Sequence, residues 1–336
     1  MMKAAVVILN WNGRRHLARF LSSVVEHTPT AIDIVVADNG SSDDSVEFIR
    51  RKYPSVRLIL LDKNYGFATG YNLALRQIKA DCYILLNSDV EVTAGWTAPL
   101  LSHMQEDRWC GAVAPKLLSY TERDKFEYAG AAGGFIDYLG YPFCRGRILS
   151  KIEQDKGQYD DAREVFWASG AAFCCRAELF HALGGFDDDF FAHMEEIDLC
   201  WRMQLAGYKI MVEPKSVVYH LGGGSLAKES SYKLFLNYRN NLTMLMKCAP
   251  TSQRIVVAIV RPIADMCSAL IYLISGKKAL ASATWKAYKK FFASHKAIAR
   301  KRKAVRSAAC CESRQIYRGS IIARYVFGWR KFGKML

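Results

Sequence analysis

Between residues 3 and 89, four short runs rich in Val, Ile and Leu (3–9, 32–37, 56–61 and 82–86) alternate with three stretches whose apolar residues recur at helical spacing (15–26, 45–52 and 67–79). None of the runs shows the every-second-residue alternation of a strand with one wet face, so each reads as a strand buried on both sides. In 15–26 the apolar positions are Leu17, Phe20, Leu21 and Val24, which form one stripe of a helix. Strand–helix units in succession call for parallel pairing with crossover helices. The alternation predicts an α/β fold with a doubly wound, mostly parallel sheet, and such sheets bind ligands beyond the carboxyl ends of their strands.

The polar residues gather at those ends. The first run ends in Asn10-Trp11-Asn12-Gly13, and the second in Asp38-Asn39-Gly40-Ser41-Ser42-Asp43-Asp44-Ser45. The third leads to Asn64-Tyr65-Gly66-Phe67-Ala68-Thr69-Gly70-Tyr71-Asn72, and the fourth to Asn87-Ser88-Asp89. Asn, Asp, Gly and Ser also suit turns and helix caps, so one such loop carries little information. Four at successive strand ends point to a polar ligand. No Gly-x-Gly-x-x-Gly follows the first run and no Gly-x-x-x-x-Gly-Lys-Ser/Thr occurs, which excludes the dinucleotide and P-loop readings.

A second polar concentration lies at 187–202. Asp187, Asp188, Asp189, Glu195, Glu196 and Asp198 fall among Phe190, Phe191, Ile197, Leu199 and Trp201. Carboxylates among bulky apolar groups are partly desolvated, which raises their pKa and suits one of them to general-base work near neutral pH. The structural alternative is a helix N-terminus whose acids complement its dipole. On a helix, Glu195 and Asp198 share a face and Asp198 pairs with Arg202 at i+4.

These motifs, in this order and spacing, resemble the inverting glycosyltransferases of family 2, which have the GT-A fold, and among them the bacterial rhamnosyltransferase-type enzymes of surface-polysaccharide assembly. The resemblance covers roughly residues 3–245. Besides the loops above it rests on Ser169-Gly170-Ala171, Gly184-Gly185-Phe186-Asp187, Glu195-Glu196-Ile197-Asp198-Leu199-Cys200-Trp201-Arg202, and His220 with Gly222-Gly223-Gly224-Ser225. It implies a nucleoside-diphosphate sugar donor, a dTDP- or UDP-sugar such as dTDP-rhamnose, and a saccharide or lipid-linked acceptor. Asp38 is then the carboxylate that accepts the ring N–H of a uracil or thymine, or alternatively a helix cap. Asn10, Asn12, Asn39, Asn64, Gly66, Asn72, Asn87 and Ser88 line the donor. Asp89 and His220 are the candidate ligands of a Mg²⁺ or Mn²⁺ ion, which takes oxygen ligands, with imidazole favouring Mn²⁺. The family's fuller pattern is Asp-x-Asp, and Asn87 replaces its first carboxylate. Glu196 occupies the position of the base that deprotonates the acceptor hydroxyl, where the family usually has Asp, with Glu195 and Asp198 as neighbours that tune it or bind the acceptor.

The net charge of +15 is unevenly held. Residues 276–336 contain 17 Lys and Arg and one acid, Glu312, whereas the rest of the chain has 30 basic and 31 acidic residues. We read residues 1–245 as the GT-A domain and 246–336 as a helical, basic extension. Residues 255–275 are the one candidate membrane segment, but Arg261, Pro262 and Asp265 interrupt it, so a helix lying in the plane of the membrane is expected rather than a span. Beyond it, Leu280, Ala287, Tyr288, Phe291 and Ile298 recur at helical spacing among Lys286, Lys289, Lys290, Lys296 and Arg300. That pattern predicts an amphipathic helix on anionic lipid, a solvated basic helix being the alternative. No helix-turn-helix, zinc or RNP-type motif accompanies the charge, so nucleic acid is not an expected partner. None of the ten cysteines forms a Cys-x-x-Cys pair, and the start of the chain lacks a signal-peptide pattern. Both features suggest a cytoplasmic protein, peripheral on the inner face of the cell membrane. The region 130–146, with Gly133-Gly134, Gly140 and Pro142, reads as a mobile loop. A second functional reading is a non-catalytic nucleotide-sugar-binding relative with a membrane-binding tail, which the missing carboxylate at Asn87 favours.

Overall fold

The computed structural model describes residues 2–222, 230–313 and 315–334; Gly223, Gly224 and Ser225 of the loop after His220 lie outside them. The four apolar runs form strands β1 (Ala4–Asn10), β2 (Asp33–Asn39), β3 (Arg57–Leu61) and β4 (Cys82–Asn87), and the stretches between them form α1 (Arg14–His27), α2 (Ser45–Lys52) and α3 (Gly66–Leu75). In chain order there follow β5 (Val90–Val92), α4 (Thr97–Glu106), β6 (Cys110–Ser119), β7 (Gly134–Asp137), β8 (Pro142–Cys144), β9 (Arg147–Ile148), β10 (Lys151–Ile152), β11 (Arg163–Val165) and β12 (Ala172–Arg176). The chain continues through α5 (Ala177–Ala182), α6 (Glu195–Leu205), β13 (Lys209–His220) and α7 (Ser231–Cys248).

Nine strands form the main sheet in the order β11-β13-β6-β12-β4-β1-β2-β3, with β5 added against β13. The pairs β4–β1, β1–β2 and β2–β3 are parallel, as is β13–β6, while β12 runs antiparallel between β4 and β6. Successive β1 residues alternate between two separate cores, Ala5 and Val7 on one face, Ala4, Val6 and Ile8 on the other. Burial on both faces is why the runs show no polar alternation. The arrangement brings the ends of β1, β2, β4 and β13 to one edge.

The region 130–146 is not a mobile loop. It contributes β7 and β8 to a second sheet, ordered β10-β9-β8-β7-β14, where β14 is Ile316–Tyr317. Ala131, Ala132, Phe135, Ile136, Phe143 and Cys144 in it are buried. Its glycines serve packing: a Cβ on Gly134 would occupy the place of the Trp167 indole, whose Nε1 donates to the Phe135 carbonyl at 3.0 Å.

The C-terminal part consists of α8 (Thr251–Ile274), α9 (Lys278–Ala293), α10 (His295–Ser307), β14 and α11 (Ile321–Val326), and residue 245 falls inside α7. Helices α8, α9 and α10 pack on α7, and α9 contacts both α8 and α10. Lys301 bonds Asp187 and, at 2.6 Å, Asp189. Arg302 Nη1 donates to the Ala249 carbonyl at 2.7 Å, satisfying the open end of α7. The basic extension is therefore fastened to the body rather than trailing from it. Ala287, Tyr288 and Ile298, expected to face lipid, are buried against the protein instead.

Helix α8 is long and apolar enough to cross a membrane, with a hydropathy of 1.8. Two of its three charges, Arg261 and Asp265, are buried and face inward. Arg261 and Asp265 pair at 3.2 Å, Tyr141 and Tyr288 hydroxyls donate to Asp265 at 3.0 and 2.7 Å, and Arg261 donates to the Leu139 carbonyl at 2.8 Å. The opposite face leaves Ile255, Ile259, Ile263, Ile271 and Ile274 exposed.

Candidate active site

The loops after β1 and β2 are tied by a network centred on Asp38. Asn10 Nδ2 donates to Asp38 Oδ2 at 3.0 Å and lies 3.2 Å from Ser41 Oγ; the Ser41 N–H donates to Asp38 Oδ1 at 2.9 Å. Asn12, at φ +49°, accepts from the Ser42 N–H at 2.7 Å through its side chain. Asp38 thus closes its own turn rather than capping α2, and each of its oxygens retains an accepting lone pair.

Asn39, Asn64 and Gly66 shape the entry to α3. Asn39 Nδ2 donates to Asn64 Oδ1 and to the Gly66 carbonyl, and Asn39 Oδ1 accepts from the Tyr65 N–H, all at 3.0–3.1 Å. Gly66 has φ +76°, and a Cβ there would strike the Phe191 ring. Asn72 was expected to meet the donor, but both of its N–H donors are spent on the Phe186 carbonyl and Asp188 Oδ1, each at 2.8 Å, and its Oδ1 accepts from the Phe186 N–H at 2.9 Å. Its role is to hold the 185–188 loop against α3.

Asn87 and Ser88 are half-buried at the end of β4, and Asp89 is buried beyond them. Because β5 runs antiparallel to the end of β13, His220 lies opposite Val90 and next to Asp89. His220 Nε2 is 3.2 Å from Asp89 Oδ1, and its Nδ1 is 3.4 Å from Glu127 Oε1 without the alignment of a hydrogen bond. Burial pulls the His220 pKa down, but the facing carboxylates of Asp89 and Glu127 outweigh it and push the value up to about 10. Burial likewise opposes the ionisation of Asp89, and its bond to His220 more than compensates, leaving its pKa lowered. Among the described residues no group of three or more His, Cys, Asp or Glu side chains is arranged to hold a metal ion. The Asp89–His220 pair still fits one. Two ligands bound side by side on an octahedral ion at about 2.1 Å stand roughly 3 Å apart, and a cation between two carboxylates would take over the charge that the imidazole proton supplies. Sequence reasoning missed Glu127, which gave no signal among the neighbouring acids Glu122 and Asp124.

The acidic segment divides into two groups. Glu195 and Glu196 begin α6, and both Oε2 atoms are buried without a hydrogen-bond partner. Burial raises the Glu196 pKa against the N–H groups of Glu196, Gly170 and Ile197 that favour its ionised form. Burial, then the charge of Glu196, pushes Glu195 well above the ordinary carboxyl range. Glu195 therefore keeps its proton while Glu196, the more exposed of the two, ionises first. Asp198, named with them as a catalytic candidate, is not positioned for chemistry. It is fully buried, with Arg202 Nε at 2.8 Å and Lys247 Nζ at 2.7 Å, and Lys247 also meets Asp187 at 2.6 Å. Asp198 stands two positions past Glu196, about 200° around the helix axis, which aims it into the ion cluster under α7.

The turn before α6 is strained. Phe191, His193 and Met194 have φ of +61°, +70° and +72°, a conformation that costs an ordinary residue of order 1 kcal/mol or more. Asn240 of α7 holds it by donating to the carbonyls of Phe190, Ala192 and His193 at 2.7–3.0 Å, and the Phe191 carbonyl accepts from the Phe67 and Ala68 N–H groups. Arg239 Nη2 donates to the Asp189 carbonyl at 2.8 Å, so it too braces this loop. Adjacent asparagines inside a helix, Asn240 and Asn241, were the available signal, since Asn is a poor interior helix residue.

A mostly parallel sheet with such a polar edge and a carboxylate-headed helix in front of it is a glycosyltransferase of the GT-A fold. A sequence profile described as Glycosyl transferase family 2 matches residues 5–183. The chain belongs to that family, and it is a glycosyltransferase of glycan biosynthesis. It is 28% identical over 260 residues to the N-acetylglucosaminyl-diphospho-decaprenol L-rhamnosyltransferase of Mycobacterium tuberculosis, covering 71% of this chain and 83% of that one. The pre-mycofactocin glycosyltransferase of the same organism is 27% identical over 64% of this chain and 42% of its own length. Among solved structures, GalNAc-T7 with UDP, GalNAc and Mn²⁺ superposes with a TM-score of 0.57 and 19% identity over 74% of this chain and 48% of that one. This chain thus spans about half of that protein. The mannosyltransferase PcManGT of Pyrobaculum calidifontis, in complex with GDP-Man and Mn²⁺, gives 0.52 and 15% over 97% of this chain and 86% of that one.

Proposed function

We propose that the protein is an inverting glycosyltransferase that moves a sugar, rhamnose foremost, from a dTDP- or UDP-linked donor to a saccharide or lipid-linked acceptor in surface-polysaccharide assembly. The observation that carries this reading is Glu196, a carboxyl whose pKa is raised by burial and whose Oε2 has no partner in the protein. A base of that kind accepts the proton of an acceptor hydroxyl as its oxygen attacks the anomeric carbon from the side opposite the leaving diphosphate. Glu195, holding its proton, keeps a second charge out of the pocket. Asp38 accepts the ring N–H of the pyrimidine, with Asn10 and Asn12 fixing its loop. Asp89 and His220 would hold a Mn²⁺ or Mg²⁺ ion, which when bound neutralises the departing diphosphate. The rhamnosyltransferase likeness supports the choice of donor and of a lipid-linked acceptor.

We place the protein on the cytoplasmic face of the cell membrane, peripherally. The exposed isoleucines of α8 are followed in the chain by the basic α9, where exposed Trp285 and Phe292 stand near Lys286, Lys289 and Lys290 in sequence, a combination suited to an anionic surface. The decisive experiment is incubation with dTDP-rhamnose and with UDP-sugars in Mn²⁺, following the anomeric configuration of the product by NMR. Turnover with inversion that Glu196→Gln lowers by roughly 10²–10⁴-fold supports the reading. Retention of configuration, or turnover unaffected by Glu196→Gln, would refute it.

A further inference from the structure

Helices α7, α8, α9 and α10 line an open groove of about 740 Å³ that no residue of the catalytic cleft lines. Its wall has two characters: Arg254, Arg302, Lys303 and Arg306 bring cations, while Phe292 and Ile298 are apolar. The cations are poorly matched by acids. Glu312 pairs with Arg306, and Arg302 spends one Nη on the carbonyls at the end of α7. Among the described residues Arg254 and Lys303 have no ion pair, and Arg254 Nε is buried with no hydrogen-bond partner. A buried guanidinium nitrogen left unpaired marks a place where a partner is missing. Burial first, and then the like charges of Arg254 and Arg306, lower the Arg302 pKa, so the cluster gains from any anion it takes up.

The apolar side continues out of the groove. Ile255 and Ile259, which flank the groove-lining Arg254 and Ala258 on α8, are exposed, as is Phe292 in the wall itself. Guanidinium groups bind phosphate oxygens with fork geometry, and an apolar strip leading away from them accommodates hydrocarbon. We propose that this groove seats the phosphate head group of an anionic lipid among Arg254, Arg302 and Lys303, its chain lying over Phe292, Ile255 and Ile259. The proposal rests on the membrane-surface reading above and adds to it a defined seat, where that reading needs only diffuse attraction by the basic extension.

The test uses the full-length protein and two double variants that each remove two positive charges: Arg254→Gln with Lys303→Gln, and Lys286→Gln with Lys289→Gln on the exposed side of α9. Probes are vesicles of phosphatidylcholine with or without one part in four of phosphatidic acid, dodecyl phosphate below its micellar concentration, and inorganic phosphate. The groove pair should weaken binding to phosphatidic acid vesicles about tenfold or more and abolish binding of dodecyl phosphate. The α9 pair should weaken vesicle binding far less and leave dodecyl phosphate binding intact. Equal losses on vesicles, with no dodecyl phosphate bound by the wild type, would overturn the seat and leave diffuse surface association. Inorganic phosphate binding as tightly as dodecyl phosphate would overturn the lipid assignment. A wild type that ignores the vesicles yet binds dodecyl phosphate through Arg254 would remove the surface reading and uphold the seat.

Discussion

Asp89 and His220 stand 3.2 Å apart because a three-residue strand, Val90–Val92, pairs with the end of β13 and sets His220 opposite Val90. The rest of the candidate metal site follows from that pairing. The second imidazole nitrogen is turned toward Glu127, which hangs from the end of β6 through its N–H bond to the Leu117 carbonyl. A carboxylate behind a histidine ligand fixes the ring and raises its basicity.

Glu127→Gln should therefore lower Mn²⁺ affinity by about 10–100-fold, the usual cost of losing such an outer partner. Titration of free Mn²⁺ by electron paramagnetic resonance, without turnover, reads this directly. Asp89→Ala should abolish Mn²⁺-dependent binding of the nucleoside diphosphate. Unaltered Mn²⁺ binding by Glu127→Gln would reduce Glu127 to a packing residue.

For the Glu195–Glu196 pair the pH dependence is the informative measurement. The base must be ionised, and burial raises its pKa above 4.5, so kcat/KM should climb with pH through an inflection above the ordinary glutamate range. Glu195→Gln should leave that inflection nearly in place, because Glu195 is still neutral when Glu196 ionises. Its raised folded-state pKa also means that its contribution to stability is full at low pH and lost as pH rises. Glu195→Gln should accordingly melt higher than wild type at alkaline pH. A lower melting temperature there would contradict the buried-acid assignment.

His193 gives the opposite pH dependence. Burial, helped by Lys233, lowers its pKa from 6.5 to about 4, so its stability contribution is complete above pH 6.5 and is lost as pH falls toward 4. By linkage the loss reaches about 3 kcal/mol. Asparagine tolerates the positive φ of this position, and His193→Asn should flatten the fall of the melting temperature between those pH values. An unchanged acid limb would place the sensitivity elsewhere.

The first half of the fold was legible because Val, Ile and Leu density and helical spacing are local properties of β1–α3. The antiparallel insertion of β12 between β4 and β6 was not, since it depends on long-range pairing. Glycines misled the reading of residues 130–146: Gly134 and Gly146 leave room for Trp167 and Phe126, which composition cannot distinguish from a flexible turn. In the C-terminal helices, periodicity correctly announced an apolar face on α9 but not its covering, and Ala287 and Tyr288 turn to the protein. The site was legible where motifs sit on strand ends. Asp198 escaped because its pairing with Lys247 of α7 is a long-range contact.

Lys247 is the centre of the ion cluster that joins α6, α7 and α10. It is 2% exposed and within 2.7 Å of both Asp187 and Asp198. Lys247→Met removes the cation but keeps the stem, leaving a buried carboxylate undercompensated, which costs about 3–5 kcal/mol. Urea denaturation followed by far-UV circular dichroism should show that loss. A change below about 1 kcal/mol would mean that Lys301 and Arg202 suffice.

Gly13 tests whether the donor loop depends on Asn10. Its φ of −102° is open to any residue, so alanine there meets no backbone strain. A Cβ would, however, collide with Asn10 Oδ1, and Asn10 is the residue that bridges Asp38 and Ser41. Gly13→Ala should push Asn10 aside and loosen Asp38, raising the donor KM about tenfold or more while changing kcat little, because the groups at α6 are untouched. Mn²⁺ affinity, which depends on Asp89 and His220, should stay as in the wild type. A variant that instead lost kcat at constant donor KM would show that the Asn10–Asp38 network serves the chemical step and not the nucleotide.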